Sequence, residues 1–222
     1  MKSMDQTMAR ITPDALQTIL GRHLAMYRTK LPTYQSAMLN SLLDVWAGRH
    51  EHLLDVGGGT GVIAQAMAEL FPVEQVQTVD LVDRFCSTLS VATRQYDGRH
   101  LPFADNAFDA ATLNNVLHHV PVGERAGLLR EIRRVADGPL YIKDHLSCGS
   151  IDNLRLTAMD TIGNIPFGGM LWAHYLPARE WEGLAASAGY RIGARTGGIY
   201  RTNPYALIFP NRLEITLRFD PI

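Results

Sequence analysis

Leu53-Leu54-Asp55-Val56-Gly57-Gly58-Gly59-Thr60-Gly61, LLDVGGGTG in one-letter code, decides how the chain is read. A short apolar run ends abruptly in glycines, and a helical pattern from about Val62 to Phe71 follows, stopped by Pro72. Glycine reaches positive φ and lets a ligand approach the backbone closely. The amino end of the following helix adds unpaired N–H groups and a positive dipole. Outward from this loop, Val76 to Val79 is a second strand, ending at Asp80, 21 residues after Gly59. A carboxylate there can accept both hydroxyls of a ribose. Loop and carboxylate together predict a nucleoside site at the carboxyl ends of parallel strands.

The rest of the chain extends the alternation. A helix is expected over roughly Arg84 to Thr93, a buried strand over Phe108 to Leu113, a helix over Gly123 to Ala136 and a strand over Leu140 to Ile142. Strands alternating with helices predict an α/β fold, a Rossmann-like, mostly parallel sheet with helices on both faces. Ahead of it, Thr12-Pro13-Asp14 opens a helix whose apolar positions run on to Tyr27, and Thr33 to Trp46 is a second helix. These form an N-terminal helical cap over residues 1–50. The α/β unit over residues 51–222 follows, with residues 146–176 read as a substrate lid. Beyond it lie a helix over Ala178 to Ala188 and strand-like stretches at Tyr190–Ala194, Tyr205–Phe209 and Leu213–Phe219. The last alternates apolar with polar side chains and reads as half-exposed, so antiparallel strands are expected at the C-terminal edge.

The nature of the nucleoside ligand can be narrowed. Neither register of the glycines satisfies GxGxxG, and Gly61 is followed by Val62 rather than the Lys of a P-loop. What stands here is DxGxGxG. Asp55 beside the glycines suits a ligand carrying an ammonium group better than a pyrophosphate, which it would repel.

At these residues the sequence resembles class I S-adenosylmethionine-dependent methyltransferases, in particular the small-molecule branch containing the ubiquinone-biosynthesis enzymes. The likeness rests on LLDVGGGTG, the strand end VDL, the stretch YDGRHLPFADNAFDAATLNNVLHHV and the helix ERAGLLREIRRVA. It departs at Asp137-Gly138-Pro139, where the family has Pro-Gly-Gly. The resemblance implies S-adenosyl-L-methionine as cofactor and S-adenosyl-L-homocysteine as product. It implies that Asp55, Gly57, Gly58, Gly59 and Gly61 wrap the methionine part, that Asp80 holds the ribose with Leu81 against adenine, that Asp97 and Gly98 meet the adenine edge, and that Asn114 faces the methionyl end.

The cofactor carries the electrophile, so the protein has to align the attack and exclude water. Candidate catalytic groups are His119, where some relatives place a base, and His118 and His145. For each, the alternative is a packed or hydrogen-bonded histidine. Candidate substrate walls are Tyr27 and Tyr34 in the leading segment and Met159, Phe167, Met170, Trp172 and Tyr175 in the lid, a Met- and aromatic-rich set suited to a flat or hydrophobic small molecule. No metal is expected: Asn114-Asn115 supplies no charge where the metal-using branch holds a hard cation.

Composition narrows the partners. The chain has 222 residues, 46% hydrophobic and 19% charged, with 21 Lys plus Arg against 22 Asp plus Glu. A net charge of -1 provides no basic field for nucleic acid. No run of about 18 apolar residues occurs, so no membrane span is expected. Two cysteines without a CxxC, and an N-terminus unlike a signal peptide, fit a cytoplasmic protein. The expected activity is methyl transfer to an O or N atom of a small, hydrophobic or aromatic metabolite by a monomer or homodimer. The rivals are a nicotinamide oxidoreductase, a protein or RNA methyltransferase, and a non-catalytic module that binds the cofactor.

Overall fold

The structure, a computed structural model, describes residues 9–164 and 173–222. Its centre is a mixed sheet built from β1 (His50–Val56), β2 (Val73–Asp80), β3 (Ala92–Gln95), β4 (Ala110–Asn114), β5 (Leu140–Ser147), β7 (Tyr190–Thr196) and β8 (Glu214–Pro221). They lie in the order β3-β2-β1-β4-β5-β8-β7, and the two-residue β6 (Leu176–Pro177) pairs with the end of β5. The first five strands run parallel; β8 is antiparallel to both β5 and β7. The strand order reverses between β1 and β4. In open α/β sheets ligands bind at such a switch point, beyond the carboxyl ends of the strands.

Side chains of successive strand residues separate into two apolar layers, as the two-residue strand period requires. Leu53, Ala110 and Tyr141 face a layer formed with α1 (Pro13–Leu20), α2 (Thr33–Val45) and α3 (Val62–Leu70). Leu54, Leu113, Leu140 and Ile142 face the opposite layer, against α4 (Val122–Val135) and α6 (Trp181–Ser187). Covered on both faces, the central strands β1, β4 and β5 are buried along most of their length, polar residues included. α1 starts as its sequence dictates: the Thr12 hydroxyl accepts from the Ala15 amide, and Pro13 occupies the first turn.

Four elements differ from the sequence reading. The first helix stops at Leu20, and a 3-10 turn over Ala25–Arg28 carries Tyr27. No helix forms over Arg84 to Thr93; the chain runs irregularly into β3. The buried Gln65 of α3 captures this segment instead, accepting from the Ser90 and Val91 amides. Tyr205 to Ile208 is one turn of helix (α7), not a strand. Finally, β8 is buried rather than half-exposed: Glu214 and Thr216 are as buried as Ile215 and Leu217, while β8 and β7 do form the expected antiparallel edge of the sheet. α5 (Ser150–Asn164) follows β5 and leads into the residues outside the description. Among the described residues no helix is long and apolar enough to cross a membrane.

Candidate active site

The loop after β1 is shaped by what lies beneath it. Gly57, Gly59 and Gly61 take φ of 78°, 59° and 80°, the left-handed region that favours glycine. Gly58 has ordinary φ but no room: a Cβ there would lie 1.8 Å from Thr78 Oγ1. The amides of Gly57 and Gly58 both bond Val79 O, which locks the loop to β2.

Asp55 anchors the same loop from below. It pairs in register with Thr78 of β2 and Thr112 of β4. Both threonine hydroxyls donate to its carboxylate, at 3.1 and 2.8 Å, and Asn114 Nδ2 donates at 3.1 Å. Burial raises the Asp55 pKa, and these three donors work against the rise.

At the end of β2, Asp80 Oδ2 accepts from the Gly59 amide at 2.8 Å and Oδ1 from the Val82 amide at 3.1 Å. Arg84 Nη2 stands 3.5 Å away. The carboxylate is held rigidly on a cavity of about 530 Å³, within the range of small-molecule sites. Gly57, Gly58, Gly59, Asp80, Leu81, Asp97, Gly98, Asn114 and His119 all line it, as does Tyr27. Asp97 is exposed on the rim. It caps its own turn by accepting from the Arg99 and His100 amides, which lower its pKa.

Other expected site residues lie elsewhere. Gly61 is not on the cavity wall; it begins α3 and packs against Leu89. Asp55 and Tyr34 line a smaller adjoining cavity of about 120 Å³. Met159 and Tyr175 pack in a separate cluster with Leu156 and Leu213. Phe167, Met170 and Trp172 lie outside the described residues.

The three histidines occupy different environments. His119 is on the cavity wall, with Nε2 3.4 Å from Asp160 Oδ2. His118, immediately before it, is fully buried between two carboxylates: Nδ1 is 2.5 Å from Asp144 Oδ1 and Nε2 is 3.5 Å from Asp160 Oδ1. Burial alone would lower its pKa; Asp144 and then Asp160 push it up to about 9. Burial would likewise raise Asp144, but His118 holds it down at about 2. His145 is buried 3.0 Å from Glu214 Oε2; burial and then Lys143 keep its pKa low. Neither His118 nor His145 lines the cavity.

Several contributors were not foreseen in the sequence. Gln35 and Tyr96 line the cavity, and Thr78 and Thr112 carry the Asp55 anchor. A buried ion network supports the cleft's back wall. Lys143 Nζ donates to Glu214 Oε2 and Tyr34 OH, both at 2.6 Å, and to Asn115 Oδ1 at 2.7 Å, while Arg201 pairs with the other Glu214 oxygen. The adjacent strands β5 and β8 bring Lys143 and Glu214 together across 71 residues, a separation that leaves no local signal.

A glycine loop shaped for close approach, an acidic strand end and a cleft at the switch point are features this chain shares with class I S-adenosylmethionine-dependent methyltransferases. Residues 54–141 match the family model described as methyltransferase domain. A curated relative, malonyl-[acyl-carrier protein] O-methyltransferase of Geobacter sulfurreducens, is 29% identical over 149 residues, covering 63% of this chain. The match spans 55% of that relative's length. Among solved structures, the fold resembles a chain of the complex between the Haloferax volcanii Trm112 methyltransferase activator and a methyltransferase. The TM-score is 0.65 at 13% identity, over 96% of this chain and 99% of that one. It also resembles magnesium protoporphyrin IX methyltransferase from Synechocystis PCC 6803 with bound SAH, with a TM-score of 0.59 at 15% identity, over 89% and 87% of the two chains.

Proposed function

We propose that this chain transfers a methyl group from S-adenosyl-L-methionine to an O or N atom of a small, hydrophobic or aromatic acceptor. The observation that carries the reading is Asp80: a rigid carboxylate on the main cavity, tied to the glycine loop through the Gly59 amide. The residues fit the cofactor. Asp80 would receive the ribose hydroxyls, Leu81 and Tyr96 would flank the base, and Asp97 with Gly98 would meet its edge. Gly57, Gly58 and Asn114 would border the methionyl part, with Asp55 fixing the loop beneath.

When bound, the cofactor would supply a sulfonium methyl group as electrophile for the acceptor's lone pair, leaving as the neutral thioether while the acceptor's proton passes to a base or to solvent. The chain's own task is positioning and exclusion of water. Tyr27, Gln35 and His119 lie on the cavity wall where an acceptor would stand. His119 is the histidine assigned to touch it; His118 and His145 act as buried supports. The near-neutral charge supports a small acceptor over RNA. Residues 1–50 would cover the cleft, and residues 146–176 would form its lid.

Calorimetry with S-adenosylmethionine and with NAD tests the reading. We expect one methyl-donor site per chain and no NAD site. Binding of NAD with no binding of the methyl donor would overturn it.

A further inference from the structure

We propose that His118, His119 and Asp160 form a binding site for one divalent transition-metal ion of the zinc class, where the loop after β4 meets helix α5. The two adjacent imidazoles turn their Nε2 atoms to the same carboxylate, at 3.5 Å from Asp160 Oδ1 and 3.4 Å from Oδ2. Ligand atoms of all three residues lie within 4.8 Å of one another. Zinc binds N and O ligands at about 2.0–2.2 Å, which sets neighbouring ligands roughly 3.0–3.5 Å apart. The spacing of each imidazole from the carboxylate therefore suits a shared cation.

A second observation points the same way. His118 is fully buried, and its Nε2 makes no well-directed hydrogen bond. Its other nitrogen, Nδ1, is held by Asp144 Oδ1 at 2.5 Å. A carboxylate on the far ring nitrogen is the usual companion of a metal-bound histidine: it orients the ring and leaves Nε2 to the metal.

The donor set selects the metal class. Two imidazoles and one carboxylate suit zinc, cobalt, nickel or iron, whereas magnesium and calcium prefer oxygen. The site is thus distinct from the hard-cation position that Asn114-Asn115 fails to provide. It would fasten α5, which carries Asp160, to the end of β4. Because His119 also lines the main cavity, a remaining coordination position would face the acceptor. That last role rests on the methyltransferase reading; metal binding itself does not.

The test uses the full chain, stripped with a chelator. Titration with Co²⁺ followed by its visible absorption, and with Zn²⁺ by calorimetry, should show one site per chain. Asp160→Asn and His119→Gln should each weaken Zn²⁺ binding by at least about 100-fold, and Asp144→Asn by about 10- to 100-fold. The exposed His52→Gln should leave it unchanged. Far-UV circular dichroism melts establish that each variant is folded. Independently of any variant, crystals of the unmodified protein soaked in Zn²⁺ should show an anomalous peak within bonding distance of His118 Nε2, His119 Nε2 and Asp160. An absent peak, a peak elsewhere, or folded variants binding as tightly as the parent would overturn the proposal. Methyl-donor binding is measured separately, so failure of the metal site and failure of the methyltransferase reading give different results.

Discussion

Asp80 is positioned before any ligand arrives, because the amides of Gly59 and Val82 already hold its two oxygens. Hydrogen bonds to a charged group contribute about 1.5–3 kcal/mol, so Asp80→Ala should weaken S-adenosylmethionine binding roughly 10- to 150-fold. Calorimetry on the folded variant checks this; unchanged affinity would remove Asp80 from the site. His119 calls for a kinetic test. His119→Asn keeps a polar side chain but neither accepts a proton near neutral pH nor ligates a metal well. A group that assists proton removal contributes about 10²–10⁴-fold. kcat should therefore fall about 100-fold or more while donor affinity changes little. Near-normal kcat under chemistry-limited conditions would leave alignment as the source of catalysis. The roles of His118 and His119 could not be separated in the sequence. The neighbours differ by one position, yet one is enclosed by Asp144 and Asp160 and the other reaches the cavity. Asp160 itself sits on α5, 41 residues beyond His119, with no local pattern to announce it.

Elements whose causes are local were legible in the sequence. The glycine loop, the strand before it and helix α4 follow from residues within a few positions of one another. Elements decided by distant partners were not. The stretch 84–93 has a helix-like apolar pattern, but Gln65, 25 residues away, bonds Ser90 and draws the backbone out of a helix. β8 alternates apolar and polar residues as an exposed strand would, yet Glu214 points into the interior at Lys143. That pair yields a prediction about the β5–β8 seam. Burial alone would raise the Glu214 pKa, but Lys143, with His145 and Arg201, holds it well below the usual range. A depressed folded-state pKa contributes stability above the ordinary Glu value of about 4.3, and this is lost as pH falls further. Glu214→Gln leaves Lys143 buried without its countercharge, a loss of about 3–5 kcal/mol at pH 7. The melting-temperature gap between parent and variant should be widest near neutral pH and narrow below about pH 4. A gap independent of pH would mean that the carboxylate charge does not stabilise the seam.

At the scale of the whole molecule, two apolar layers hold a sheet whose strand order reverses between β1 and β4, and the cleft opens at that reversal. The sheet's rigidity lets backbone amides and one carboxylate face a ligand without rearrangement. Chemistry is then set by what borders the cavity beyond Asn114, where Gln35, Tyr27 and His119 stand. On the function proposed above, this cleft delivers a methyl group to a small acceptor. Such transfer is tested most directly by incubating the protein with methyl-labelled S-adenosylmethionine and a cell extract, then separating small molecules from macromolecules. Label is expected in the small-molecule fraction, dependent on the protein and reduced in Asp80→Ala. Label confined to protein or RNA, or no transfer by a protein that binds the donor, would contradict it.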